Sequence, residues 1–268
     1  MRSFWSRWYL AALTLGLSAV AGAAPAGEAV RLRLTVVFDN VGGRTGLTPA
    51  WGFACLVEAA GTTLLFDTGA DGTVLLANLQ RLGHRADALD AVVLSHIHAD
   101  HTGGLGAVLD ARHGVDVWLP ASFPDAFQRE AARRGARVHA VRAGGPLFGP
   151  FASTGPLDHG LTEQALIVDT ARGLVVVTGC AHPGIVRIAE TAMQATGRPI
   201  HLLIGGFHLL HADAAQVEQV ISRLQALGVE RVAPSHCTGA PAIAHFRRAS
   251  GNRFVDGGLG AVIEVPLK

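Results

Sequence analysis

The sequence predicts a layered α/β fold in which helices lie outside packed sheets. Three observations predict it. The apolar segments run strands first, then mixed units, then strands and helices in alternation. Hydrophobic residues make up 49% of the 268 residues and charged residues 16%, which supplies a large buried core and argues against a disordered chain. Several apolar strands run straight into polar, ligand-type clusters, as in layered α/β proteins whose sites gather at strand ends.

Taken in order, residues 30–38 read as a strand with partial alternation, and 51–58 and 62–66 as two strands joined at Ala59-Ala60-Gly61. Residues 71–82 read as a helix, with Val74, Leu75, Leu79 and Leu82 on one face and Gly83 as its stop. A short buried strand at 91–94 leads into a histidine cluster. Residues 103–111 read as helix, 115–119 as strand, 124–135 as helix and 138–141 as strand. A hairpin is expected from 164–169 and 174–178, turning at Ala171-Arg172-Gly173. Then come a helix at 183–196 with Pro183 in its first turn, a strand at 200–204, an amphipathic helix at 212–227 and a strand at 229–233. A helix at 240–249 and strand character over 254–265 close the chain.

The first residues read as a leader rather than as fold. Arg2 and Arg7 form a basic stretch, residues 8–20 are apolar, and Ala21-Gly22-Ala23 fits a small-residue cleavage site, with Ala24-Pro25-Ala26 a second. The expected organisation is a signal peptide at 1–23 and one domain at 24–268, in a periplasmic or secreted protein with no stable membrane insertion after cleavage. The formal net charge is +1, and loss of Arg2 and Arg7 with no acid makes it −1, so nothing points to nucleic acid as a partner. Three cysteines, Cys55, Cys180 and Cys237, make no disulfide framework despite the oxidising compartment. The oligomeric state is not legible.

The chemistry concentrates in "SHIHADHTGG", Ser95 to Gly104. Imidazole and carboxylate suit Zn, Fe or Mn. On extended backbone, residues two apart face the same way, so His96 and His98 can grip one ion. A turn at Ala99 sends Asp100 and His101 to a second. Two adjacent ions share a bridging hydroxide whose pKa they lower, which gives a nucleophile at neutral pH. Other strands end the same way: 175–177 before Cys180 and His182, 200–204 before His208, and Val232 before His236.

"LSHIHADHTGG" resembles the HxHxDH signature of the metallo-β-lactamase superfamily. "TGCAHPGIV" (178–186), "GGFHL" (205–209) and "PSHCTG" (234–239) are similar to the subgroup labelled dihydropterin-ribofuranosyl-aminobenzene-phosphate synthases, as are "FDN" (38–40), "WGFACLVE" (51–58) and "LLFDTG" (64–69). The resemblance covers nearly all of the chain after the leader. It implies an αββα four-layer sandwich with a metal site in a cleft at one edge. It implies His96, His98 and His182 as one ligand set and Asp100, His101 and His236 as another, with Asp100 also orienting the nucleophile. It implies that Asp67 supports the ligands by hydrogen bonding, although an Asp before Thr-Gly also caps turns. Where the superfamily carries a bridging aspartate, this chain reads Thr178-Gly179-Cys180. Cys180 is either a thiolate ligand, which favours Zn, or a small buried thiol that only packs. His208 is a further candidate ligand, and His159 a candidate to face the cleft.

The expected function is an exported metal-dependent hydrolase with two divalent ions, Zn preferred and Fe or Mn also suited. Its partner is a small-molecule substrate of the lactone, ester or phosphoester class. Two other classes stay open: a metal-centred redox protein and a non-catalytic periplasmic metal binder. The scaffold's flavin-dependent oxygen reductases need a flavin domain, for which this chain has neither room nor motif.

Overall fold

The computed structural model describes residues 31–268. The expected leader and Val30 lie outside the described residues. Strands β1 (Arg31–Asp39), β2 (Phe53–Ala59) and β3 (Thr62–Phe66) form an antiparallel meander. Next come α1 (Gly72–Arg81), β4 (Ala91–Val93), α2 (Ala99–Thr102), α3 (Leu105–Ala111), β5 (Asp116–Pro120), α4 (Asp125–Arg133) and β6 (Arg137–Val141). Strands β3 to β6 run parallel. The chain then lays down β7 (Gly145–Phe148), β8 (Phe151–Ser153), a small hairpin of β9 (Leu157–His159) and β10 (Leu161–Glu163), β11 (Leu166–Thr170) and β12 (Gly173–Thr178). It continues through α5 (Ile185–Thr196), β13 (Ile200–Gly206), α6 (Ala214–Ala226), β14 (Arg231–Ser235) and α7 (Ala240–Ser250), with β12, β13 and β14 parallel. β15 (Val262–Pro266) crosses back to pair with β1. The result is two large mixed sheets, ordered β15-β1-β2-β3-β4-β5-β6 and β14-β13-β12-β11-β8-β7.

Alternation along the strands explains the four layers. Leu32, Leu34 and Val36 of β1, with Phe53, Cys55 and Val57 of β2, meet Leu166, Val168, Val175 and Val177 of the other sheet in a central core. The residues between them face outward. Ala54, Leu56 and Leu65 pack under Leu75 and Leu79 of α1 and Leu105, Val108 and Leu109 of α3. On the far side, Leu174, Val176 and Leu203 pack under α5, α6 and α7 through Ile188, Ile221 and Phe246. Strands buried on both faces must read as continuous apolar runs, which is how these segments read. The αββα sandwich implied by the resemblance is the observed fold.

Four details differ from expectation. Residues 145–163, given no element from sequence, hold the short strands β7 to β10. Pro183 lies outside its helix, which starts at Ile185 behind a Gly184 cap at φ +94°. The helix expected at 103–111 starts at Leu105 as α3, and the turn expected at Ala99 is the short helix α2, with Gly103-Gly104 between the two. Only the end of 254–265 is a strand, and Gly257 to Gly260 instead threads back along 36–44. Among the described residues, no helix is long and apolar enough to cross a membrane.

Candidate metal centre

One edge of the sandwich collects the ends of strands from both sheets. β3 and β4 are parallel, and β1 runs with them because both β1 and β3 are antiparallel to β2. Their ends deliver Asn40, Asp67, His96 and His98, while α2 follows at once with Asp100 and His101. The parallel β12, β13 and β14 deliver Cys180 and His182, His208, and His236. Backbone is strained where these groups enter. Asp67 (φ +56°), Ala181 (+62°), His208 (+53°) and His236 (+47°) all adopt the left-handed region, and among the described non-glycine residues only Ala60 joins them. Strain of this kind persists where surrounding structure holds it, typically at sites.

The structure brings every predicted donor together in three neighbouring groups, two of which share Cys180. His96, His98 and His182 form one, Asp100, His101, Cys180 and His236 a second, and Cys180, His208 and Cys237 a third. Within each group the ligand-type atoms lie within 4.8 Å of one another. His159 does not join them: it is exposed on β9 and absent from the cleft lining.

Each buried imidazole is braced through Nδ1. His101 Nδ1 lies 2.7 Å from Asp67 Oδ2, and His182 Nδ1 2.8 Å from Glu163 Oε2. His236 Nδ1 lies 2.7 Å from Asn40 Oδ1, whose amide donates to the His236 carbonyl and so leaves the oxygen as acceptor. Ser95 Oγ donates to Asp67 Oδ2 and therefore accepts from His96 Nδ1 at 2.8 Å. With Asp67 ionised, these bonds place the proton of each ring on Nδ1 and turn the Nε2 lone pairs inward. The consequence is electrostatically costly without a cation. His96 Nε2 is buried with no hydrogen-bond partner. His101 Nε2 lies 3.2 Å from His236 Nε2 and 3.2 Å from Cys180 Sγ. A divalent cation satisfies this donor set, so the residues present fit a metal.

Sequence reasoning missed Glu163 and Asn40 as bracing groups. Glu163 also accepts backbone N–H bonds from Cys180 (2.9 Å), Ala181 (2.8 Å) and His182 (2.9 Å), so one carboxylate shapes the whole Cys180–His182 turn. Asn40 lay in the "FDN" motif, and that was its only signal. Asp67, left between two readings, braces His101 directly and His96 through Ser95.

Burial dominates the protonation equilibria. It lowers His96 to about 3 and His101 to about 4, aided by repulsion from neighbouring imidazoles, so both stay neutral. It raises Asp39 and Asp67 to about 7. Burial also pushes against ionised Glu163, but the bonds from His182 and the backbone win and hold it at about 2. Asp100 likewise overcomes burial through His236 and His101 and stays well below the usual carboxylate range.

A cleft of about 630 Å³ opens over the donors, lined by Trp51, His98, Asp100, His182, His208 and Leu210. Trp51, 48% exposed, leans on His236 with ring centroids 4.9 Å apart. Glycines let the strand ends close up. A Cβ on Gly179 would sit 2.1 Å from Ser95 Oγ and 2.9 Å from Asp67 Oδ2.

Comparison with known proteins gives the family and the fold. Residues 51–236 match the family model Lactamase_B, described as the metallo-beta-lactamase superfamily. A Methanocaldococcus jannaschii protein named 7,8-dihydropterin-6-methyl-4-(beta-D-ribofuranosyl)-aminobenzene-5'-phosphate synthase is 27% identical, over 72% of this chain and 83% of its own. A crystal structure described as a metal-dependent hydrolase of the beta-lactamase superfamily aligns with TM-score 0.74 and 29% identity, covering 88% of this chain and 99% of that one. A diphosphatase of the PhnP family, at 19% identity and TM-score 0.62, covers 88% of this chain and 98% of its own and shares the fold.

Proposed function

The chain belongs to the metallo-beta-lactamase superfamily, and from its donor set we propose that it is an exported metal-dependent hydrolase of a small-molecule lactone, ester or phosphoester. The observation that carries this reading is the braced array of inward-facing Nε2 atoms beside Asp100 and Cys180. His96, His98 and His182 are suited to hold one ion, and Asp100, His101, His236 and Cys180 a second. A thiolate among the donors favours Zn over Fe or Mn. Divalent ions bound there supply acidified water as nucleophile and positive charge for a developing oxyanion.

The chain's own residues do the rest. Asp100, kept ionised and partly open to the cleft, orients the attacking water. Asp67, Glu163 and Asn40 hold the imidazoles in one tautomer and one direction. Trp51, Leu209 and Leu210 wall the cleft with apolar surface and limit water around the substrate. Among the described residues no Lys or Arg lines this cleft, so charge on the substrate is met there by imidazole, cation and the amides of Gln216 and Gln219. The name of the Methanocaldococcus jannaschii relative joins a pterin to a phosphate, which supports including pterin phosphates within the phosphoester class.

The test begins with metal content per chain, by elemental analysis of the mature protein prepared without a His tag. About two ions are expected for the binuclear site. No metal after refilling with excess ion overturns the reading. With metal present, a panel of lactones, phosphodiesters, pterin phosphates and β-lactams finds the substrate class. His96→Ala is expected to lose metal and activity together, and a His96→Ala protein with full metal content sinks the ligand assignment.

A further inference from the structure

Two members of the third donor group, His208 and Cys237, are unused by this reading. Cys180 and Cys237 are 4% and 5% exposed, while His208 stands at the cleft mouth. Their Sγ and ring nitrogen atoms lie within 4.8 Å of one another. The three come from separate strand ends, and hydrogen bonds tie those ends together. Gly206 N donates to Gly179 O at 3.0 Å, Leu210 N to Cys237 O at 3.0 Å, and Phe207 N to Thr238 Oγ1 at 3.0 Å. Gly206 also leaves room for the thiol, since a Cβ there would sit 2.6 Å from Cys237 Sγ. His208 holds a left-handed backbone at φ +53°, and its ring lies 4.4 Å from that of His182.

We propose that Cys180, Cys237 and His208 form a third cation position, thiolate-rich and open to the cleft, that takes a soft cation such as Zn²⁺, Cd²⁺ or Cu⁺. Two sulfur donors and one imidazole select thiophilic ions, whereas the His96 group has no sulfur and the Asp100 group has one. Cys180 belongs to both the second and the third groups and is the bridge between them. His208 leaves one side of the position facing the cleft, so a further ligand from solution can complete the coordination. Binding replaces the thiol protons by the cation and releases them to solvent, with no redox change. The inference depends on donor chemistry and not on hydrolysis.

The probe is Cd²⁺ alone, titrated into the full mature chain after metal removal and reduction. Thiolate-to-cadmium absorption and bound Cd²⁺ per chain are both read. Wild type is expected to bind one more ion than Cys237→Ser, and the variant to lose the absorption of that equivalent. His208→Ala, at an exposed position, is expected to lose the same ion and serves if Cys237→Ser does not fold. Stoichiometry and absorption unchanged in both variants overturn the third position and leave the other two standing. No Cd²⁺ bound by wild type overturns it together with the donor set of the proposed hydrolase. One titratable thiol instead of three, in metal-free protein prepared without reductant, places a disulfide between Cys180 and Cys237 and also overturns it.

Discussion

Glu163 is the residue on which the Cys180–His182 turn depends, since it receives three backbone donors and the His182 ring at once. Glu163→Gln keeps the shape but puts an NH₂ against donors. It is expected to weaken metal binding by about 10- to 100-fold and to cost about 1–3 kcal/mol of stability. Competition with a chelator and denaturant unfolding measure the two effects. A second expectation concerns pH in the metal-free chain. Asp39 and Asp67, raised from 3.8 to about 7, stabilise below their unfolded value and lose that contribution as pH rises through about 7. His96 and His101, lowered from 6.5 to about 3 and about 4, contribute fully above 6.5 and lose it as pH falls. Between roughly pH 4.5 and 6.5 the folded chain keeps two protons on carboxyls and the unfolded chain keeps two on imidazoles, so these four groups cancel. Stability is expected to be flat over that window and to fall as pH rises through about 7. A steep slope across the window in denaturant midpoints refutes this proton distribution. The ligand-type residues were legible in the sequence because four of them crowd into six positions after an apolar strand. Glu163 was not, because nothing local marks a lone acid at the end of a three-residue strand.

At the scale of elements, strands with continuous apolar runs and helices with one apolar face were readable from their periodicity. α1 is capped by Asp71, and α6 by an Asp213–Gln216 capping box, so sequence bounds and observed bounds nearly coincide there. The strands β7 to β10 were unreadable because pieces three or four residues long complete no hydrophobic period, although each pairs with a strand close by in the chain. The glycines at strand ends carry a testable cost. Gly179→Ala drives a methyl into Ser95 and Asp67. It is expected to destabilise by about 1–3 kcal/mol and to lower metal content although no donor is altered. Elemental analysis beside thermal unfolding reads both, and full metal content in that variant contradicts the close-approach argument.

For the whole molecule, the two sheets share one central core, and the donors come from both of them. A cation gripped by both halves cross-links them, so metal binding and global stability are one equilibrium. Saturating metal is expected to stabilise by about 4 kcal/mol at a free concentration a thousandfold above Kd, and a chelator is expected to reverse it. An unfolding midpoint indifferent to metal refutes a site built across both sheets. The organisation into four layers was legible only in outline from strand order, and the resemblance of the histidine motifs supplied the rest.

By itself, the sequence determined the donor types and the strands that lead into them, because these depend on local order and composition. Only the tertiary structure decided which donors gather into one group, that Cys180 sits beside His101, and which groups hold each imidazole. The physical reason is that bracing partners such as Asp67 for His101, Glu163 for His182 and Asn40 for His236 lie 34, 19 and 196 residues away along the chain. Close packing of two sheets brings them within hydrogen-bond reach, and no local pattern encodes that distance.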